Sequence, residues 1–307
     1  MRLGLKYRCE QNIRLDGEKN NGGNDRMDNF KNGAAYTGRF DGCQRITSRA
    51  NPAIVAAAAL SERKYRDRDG LFAFEGAKLL RDALSSGIRL ERIFVREDAL
   101  GRLPVELDPT LVTVVSAPVY DKLSFDRSPE GIMCVAKHID FLHKKVTIYN
   151  NGDFSGTAFM ACSIRDPGNL GTVIRDANAL GIDELILSAD CADLYNPRTV
   201  RAAMGALFRQ KITLCEDTVG SIGALRALGY RVHAAALHRA AIPLNRLAVD
   251  SRDCFLVGNE GRGLPEELID AASDCVLIPM REGTESLNAA AAAAILIWET
   301  GKGSWIK

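Results

Sequence analysis

The sequence predicts an α/β fold in two parts, and three observations carry that prediction. From residue 157 onward, short apolar runs alternate with helix-forming stretches, the pattern of a mostly parallel sheet covered by helices on both faces. Between residues 45 and 138 a shorter alternation implies a small α/β domain of its own. Residues 139–156 separate the two, and turn formers such as Asn150-Asn151-Gly152-Asp153 mark them as a linker. Residues 1–44 include runs such as Lys19-Asn20-Asn21-Gly22-Gly23 and lack apolar periodicity. They bury too little apolar surface to offset their ordering entropy and are expected to form a flexible tail.

Within the first part, Asn51-Pro52 starts a helix whose alanine-rich body runs to Ser61, with proline in the first turn. Leu71–Phe74 reads as a short strand and Glu75–Ser86 as a helix ending at Gly87. Arg92–Val95, Val112–Val115 and Gly131–Val135 read as strands, with a helical turn over Val119–Leu123. In the second part, strands are predicted at Thr157–Cys162, Glu184–Leu187, Lys211–Leu214, Arg231–Ala235, Cys254–Val257 and Cys275–Ile278. Helices are predicted at Asn169–Leu180, Val219–Leu228, Pro265–Ala271 and Leu287–Glu299.

Composition narrows the function. Lys and Arg number 40 against 39 Asp and Glu, so no global basic field announces a nucleic-acid partner, and RNA affinity has to come from local patches. Eight cysteines are scattered without a CxxC pair or a His/Cys cluster at metal spacing, which fits buried, reduced thiols in a reducing cytosol and no metal site. No apolar run reaches membrane-spanning length, and a cytoplasmic protein is the expectation. A Rossmann fingerprint is missing, because Gly258-x-x-Gly261-x-Gly263 has the wrong order and lies late in its domain.

Three turns concentrate groups able to grip a small polar ligand. The first is Arg165-Asp166-Pro167-Gly168-Asn169-Leu170-Gly171, with Arg175 beyond it. The second, Gly258-Asn259-Glu260-Gly261-Arg262-Gly263, closes one apolar run, and its glycines let the backbone approach a ligand without a Cβ clash. The third runs from Ile278-Pro279-Met280 to Ser286-Leu287-Asn288, which opens an alanine-rich helix.

Together these turns resemble the three motifs of the SpoU-type (TrmH-like) RNA 2′-O-ribose methyltransferases of the SPOUT superfamily. In the first motif, D-P-x-N-x-G-x-x-x-R, the matching residues are Asp166, Pro167, Asn169, Gly171 and Arg175. Asn196-Pro197-Arg198-Thr199-Val200-Arg201 resembles the family's loop before a small-residue helix, and Ala289-Ala290 replaces its usual Val-Ser. Ile46 to Pro52, Arg63 to Arg66 and Leu71 to Gly76 resemble the RNA substrate-binding domain often fused before such enzymes, a ribosomal-protein-like fold.

The resemblance implies an α/β-knot, a SPOUT trefoil-knot methyltransferase domain at 157–307, behind an RNA-binding domain at 45–138. It implies S-adenosyl-L-methionine as cofactor, with Gly258, Gly261, Ile278, Met280 and Leu287 at cofactor-contacting positions. Asn169, Arg175, Glu260, Ser286 and Asn288 are the implied catalytic set. A guanidinium stays protonated at working pH, so Arg175 is expected to orient a phosphate and stabilise a developing alkoxide while another oxygen takes the proton. Arg49, Arg63, Lys64 and Arg66 around Tyr65 form a basic patch with an aromatic for stacking, the expected RNA contact. The expected product is a 2′-O-methylated structured RNA, ribosomal RNA ahead of tRNA, made by a homodimer that uses no metal and no membrane. A tRNA 2′-O-methyltransferase and a non-catalytic RNA-binding assembly factor are the alternative readings.

Overall fold

A computed structural model of the chain describes residues 38–139, 156–237, 240–284 and 286–305. The N-terminal part holds five strands, β1 (Gln44–Ile46), β2 (Leu71–Glu75), β3 (Leu90–Arg96), β4 (Val112–Val115) and β5 (Ile132–Lys137). They form one sheet in the order β1-β4-β3-β5-β2, with β5 antiparallel to both neighbours. Four helices accompany it: α1 (Pro52–Ala59), α2 (Arg63–Asp69), α3 (Ala77–Ser85) and α4 (Ala117–Leu123). Asn51 starts α1 as expected, its Oδ1 accepting from the Ala53 N–H at 2.9 Å with Pro52 in the first turn.

The C-terminal part holds β6 (Ala158–Ala161), β7 (Glu184–Ser188), β8 (Ile212–Cys215), β9 (Arg231–Ala235), β10 (Ile242–Pro243), β11 (Asp253–Val257) and β12 (Asp274–Leu277). Its helices are α5 (Pro167–Ala179), α6 (Pro197–Ala203), α7 (Thr218–Ala227), α8 (Glu266–Ala271) and α9 (Ala289–Trp305). The sheet runs β10-β12-β9-β11-β6-β7-β8 and every neighbouring pair is parallel. Strands β6, β7 and β11 are buried along their whole length, as a sheet covered on both faces requires. The last strand is not at an edge: β12 lies between β9 and β10.

A buried polar cluster crosses this insertion. His233 on β9 is fully buried, and its ring nitrogens meet Asp253 on β11 at 2.6 Å and Asp274 on β12 at 2.5 Å. Arg231 adds a 2.6 Å ion pair to Asp253.

Two expectations change. The tail predicted to run to residue 44 is structured from 38, because Phe40 is buried in the core and Gln44 opens β1. Its residues 1–37, and the linker's residues 140–155, lie outside the described residues. Asn196–Arg201, expected as a loop before a helix, is helical from Pro197, since the Asn196 Oδ1 accepts from the Arg198 N–H at 2.9 Å.

The two sheets meet through one continuous apolar core. Tyr195, in the loop before α6, packs on Phe72 at 4.7 Å and stacks on His138 at 4.1 Å between ring centroids. Arg66 is the polar centre of this contact. Its side chain is only 2 % exposed, it donates to the carbonyls of Leu60 and Ser61 at 2.7 and 2.8 Å, and it pairs with Asp193. Arg66 therefore cannot belong to a solvent-facing RNA patch, a correction to the sequence reading.

Arg66→Met keeps an unbranched side chain, removes the guanidinium and strands the Asp193 carboxylate at the contact. It should lower stability by about 3–5 kcal/mol, the usual effect of breaking a buried pair from one side. Urea unfolding followed by circular dichroism measures this, and an unchanged midpoint would mean that Arg66 does not hold the two sheets together.

Candidate functional site

The three turns converge at the C-terminal ends of neighbouring parallel strands, where α/β sheets place their ligands. The first turn enters α5 through Asp166, whose Oδ1 accepts from the Asn169 N–H at 2.9 Å, so Asn169 is held in the first helical turn. Gly171 lets α5 lie against α6, because an added Cβ would stand 2.5 Å from the Thr199 carbonyl oxygen. Ahead of the turn, Ser163 adopts φ 54°, unusual for a non-glycine residue. Its hydroxyl donates to Asp190 at 2.6 Å, its N–H donates to Ser188 Oγ at 2.8 Å, and its carbonyl accepts from Asn259 Nδ2 at 2.8 Å.

The second turn leaves β11 and closes on itself through paired backbone hydrogen bonds between Asn259 and Gly263. Asn259 Oδ1 accepts from the N–H groups of Gly261 and Arg262 at 3.0 and 3.1 Å. Gly258 is forced to be glycine, since a Cβ there would sit 2.5 Å from Gly263 backbone atoms. The third turn ends at Asn288, which caps α9: its Oδ1 accepts from the Ala290 N–H at 2.9 Å.

One carboxylate joins the turns. Glu260 Oε1 accepts from Asn169 Nδ2 at 3.0 Å, and its Oε2 accepts from Asn259 Nδ2 at 3.2 Å. The N–H groups of Arg165 and Asp166 point at the same carboxylate at 3.5 Å. Asn288 Nδ2 completes the chain by donating to Asn169 Oδ1 at 3.1 Å. Partial burial works against the Glu260 anion, but the hydrogen bond from Asn169 and the backbone donors outweigh it and hold the carboxyl below its ordinary range.

Beside this network opens a cavity of about 420 Å³, within the range of small-molecule sites. All five residues expected at the cofactor line it, Gly258, Gly261, Ile278, Met280 and Leu287, and so do Glu260 and Ser286. Sequence reasoning missed the far wall, Ala235 to Leu237 at the end of β9, together with Val257 and Leu264. Nothing in the sequence announces that β9 lies between β11 and β12; only the strand order brings its end to the cavity.

Of the expected catalytic set, Asn169, Glu260 and Asn288 share one hydrogen-bond chain and Ser286 stands at the cavity wall. Arg175 does not join them. It is exposed on α5, six residues and so about 240° around the helix from Asn169, with no ion pair among the described residues. On the N-terminal part, Arg49, Arg63 and Lys64 are exposed and Tyr65 is half-buried.

Comparison with known proteins adds three findings. Residues 156–298 match the SpoU rRNA Methylase family and residues 51–134 match an MRM3-like substrate binding domain. A 23S rRNA (uridine(2479)-2′-O)-methyltransferase of Streptomyces viridochromogenes is 30% identical over 283 residues, covering 85% of this chain and 93% of its own. The 23S rRNA (guanosine(2553)-2′-O)-methyltransferase RlmP of Bacillus subtilis is 28% identical over 256 residues, covering 83% of this chain and 98% of its own. An AdoMet-bound rRNA methyltransferase from Sinorhizobium meliloti superposes with a TM-score of 0.73 at 29% identity, over 86% of this chain and 99% of that one.

Glu260→Gln keeps the shape but puts an NH₂ group against donors. A loss of about 1–3 kcal/mol is expected, the effect of leaving buried polar groups unsatisfied. Because the folded carboxyl titrates low, the anion's stabilisation is complete above its ordinary value of 4.5 and disappears only as pH falls through the lower folded value. The difference in unfolding free energy between the two proteins should therefore be constant from pH 6 to 8 and shrink only in acid. A gap that opens or closes near neutrality would contradict this assignment.

Proposed function

The chain belongs to the SpoU rRNA methylase family, and from that premise we infer that it transfers the methyl group of S-adenosyl-L-methionine to a ribose 2′-hydroxyl of ribosomal RNA. The observation that carries this reading is the junction of the cavity with the Asn288–Asn169–Glu260 chain. The cavity residues fit the cofactor. Ile278, Leu287 and Leu264 offer apolar surface for an adenine ring, and Gly258 lets the turn close tightly at the cavity wall. When bound, the cofactor supplies an electrophilic sulfonium methyl.

The protein's own share of the work is positioning. Glu260 fixes the side chain of Asn169 on one side and the Gly258–Gly263 turn on the other, so the polar edge is set before substrate arrives. We assign Arg175, exposed on α5 outside this chain, to a phosphate of the substrate, which a guanidinium fork suits. The relatives' names favour large-subunit ribosomal RNA as the substrate.

We also propose that the active form is a homodimer. On α9, Ile295 and Trp298 are 38 % and 50 % exposed, and their spacing of three puts both on one helix face.

Labelled methyl from S-adenosyl-L-methionine should enter unmodified ribosomal RNA and not tRNA. Arg175→Ala and Asn169→Ala should each slow transfer about 100-fold or more while binding the cofactor normally, as losses of transition-state contacts do. Incorporation into tRNA alone would reassign the substrate, and full activity of both variants would take these residues out of the site. Trp298→Glu should convert a dimer to a monomer in light scattering; a wild-type monomer, or an unchanged mutant dimer, would end the dimer proposal.

A further inference from the structure

The cations of α2 are satisfied where they stand. Arg63 pairs with Asp67 at 3.3 Å, Lys64 with Glu62 at 3.3 Å and Arg68 with Asp69 at 2.6 Å, while Lys64 and Arg68 both lie against the Tyr65 ring. A helix neutralised in this way attracts phosphate weakly, so strong RNA attraction from the N-terminal part has to arise elsewhere.

A cleft of about 280 Å³ runs between the two sheets. Lys78 of α3 and the half-buried Phe125 form one wall; Arg198 and Arg201 of α6, with Met204, form the other. Three carboxylates also line it, and each is already engaged. Asp126 pairs with Arg201 at 2.7 Å, and Glu130 accepts from the Ala77 N–H at 3.1 Å. Glu75 is pushed up in pKa by burial and accepts from the Phe125 N–H and the hydroxyls of Ser124 and Tyr120.

The cations of the cleft are less fully matched. Lys78 is exposed and has no carboxylate partner among the described residues. Arg198 has a side chain 70 % exposed and reaches only Asp166, at 3.2 Å. Asp166 is the residue that caps Asn169, so Arg198 stands between the cleft and the polar chain of the site. Met204 holds φ 53° and ψ −151°, a backbone region that is nearly glycine's alone. Strain of this kind persists where surrounding packing fixes it, and it is concentrated at ligand clamps. A flexible thioether and an aromatic ring facing one cleft make a sequence-tolerant surface for a base.

We propose that this cleft is a second RNA subsite, which takes a single unpaired nucleotide adjoining the methylated one. Lys78 and Arg198 hold its phosphate, and Phe125 and Met204 receive its base. The proposal rests on the RNA methyltransferase reading and extends it by a binding site outside the cofactor cavity. The site also gives the contact between the sheets a purpose, since only a fixed separation keeps a bound neighbour in line with the target ribose.

The test uses the full chain and an in vitro transcript of large-subunit ribosomal RNA, with filter binding over a series of KCl concentrations and methyl transfer in parallel. Lys78→Ala should flatten the slope of log affinity against log salt by about 0.9, the share of one phosphate contact. It should raise KM for RNA about fivefold, with kcat within about twofold and cofactor affinity unchanged. Phe125→Leu should weaken RNA binding about tenfold without altering the slope, because stacking carries no counterion release. Arg63→Ala on α2 should change slope and KM by less than Lys78→Ala does. An unchanged slope and KM in Lys78→Ala, with methyl transfer intact, overturns the cleft and leaves the enzyme reading standing. Wild-type protein that binds the transcript but transfers no methyl overturns the enzyme reading, and the salt slopes still decide the cleft.

Discussion

The site depends on one carboxylate. Glu260 sits in a glycine-rich turn where an exposed acid would be ordinary, yet it accepts hydrogen bonds from Asn169, Asn259 and backbone donors of the first turn. Those of the first turn come from a segment more than ninety residues away in sequence. A single anion gathering separate N–H groups makes the three loops one rigid object, and partial shielding from water strengthens each bond. The Gly258–Gly263 turn, the α5 entry and, through Asn169, the α9 cap all take their positions from it.

Much of this is legible in the sequence because loops obey local chemistry. Pro167-Gly168-Asn169 announces a turn into a helix, though the cap is Asp166 rather than Asn169, Asn288 ahead of an alanine run announces another helix, and Gly258 and Gly263 announce a turn without Cβ atoms. The strands are legible for a similar reason: in a doubly covered parallel sheet they are unbroken apolar runs. Strand order is a different kind of fact. It depends on contacts between segments with no common sequence signal, so the β9 wall of the cavity cannot be read in advance. Arg66 fails for the same reason in reverse. Its neighbours Arg63, Lys64 and Arg68 are solvated charges, and only Asp193, 127 residues away, turns the fourth inward. The helical start at Pro197 escapes notice although Asn196-Pro197 is a good cap, because a short helix offers too few turns to display periodicity.

The two parts of the chain are joined more firmly than a linker implies. Phe72 and Phe74 of the N-terminal sheet lie against Tyr195 and Phe208 of the C-terminal part, and the apolar core passes from one to the other around the buried Arg66–Asp193 pair. Interfaces between domains that move freely are wetter and more polar. The loop from Cys191 to Asn196 links the systems: Asp193 and Tyr195 belong to the sheet contact, and Asp190 just ahead clasps Ser163 and Arg165 beside the first turn. The contact between the sheets and the first turn of the site thus share one loop as a frame.

The His233 cluster has a consequence for how the chain reaches this state. Its two carboxylates come from β11 and β12, the strands on either side of β9, and β12 is the later of the two in the sequence. Without β12 in register, the buried His233–Asp253 pair lies inside the sheet short of one partner. A slip of one residue would turn Asp274 to the opposite face and leave the same deficit. The cluster therefore acts as a gauge of assembly: it penalises a partly inserted or shifted strand and is at rest only in the finished arrangement. A strand laid between two others can settle in several registers, and in this protein one buried imidazole tells the right one from its neighbours.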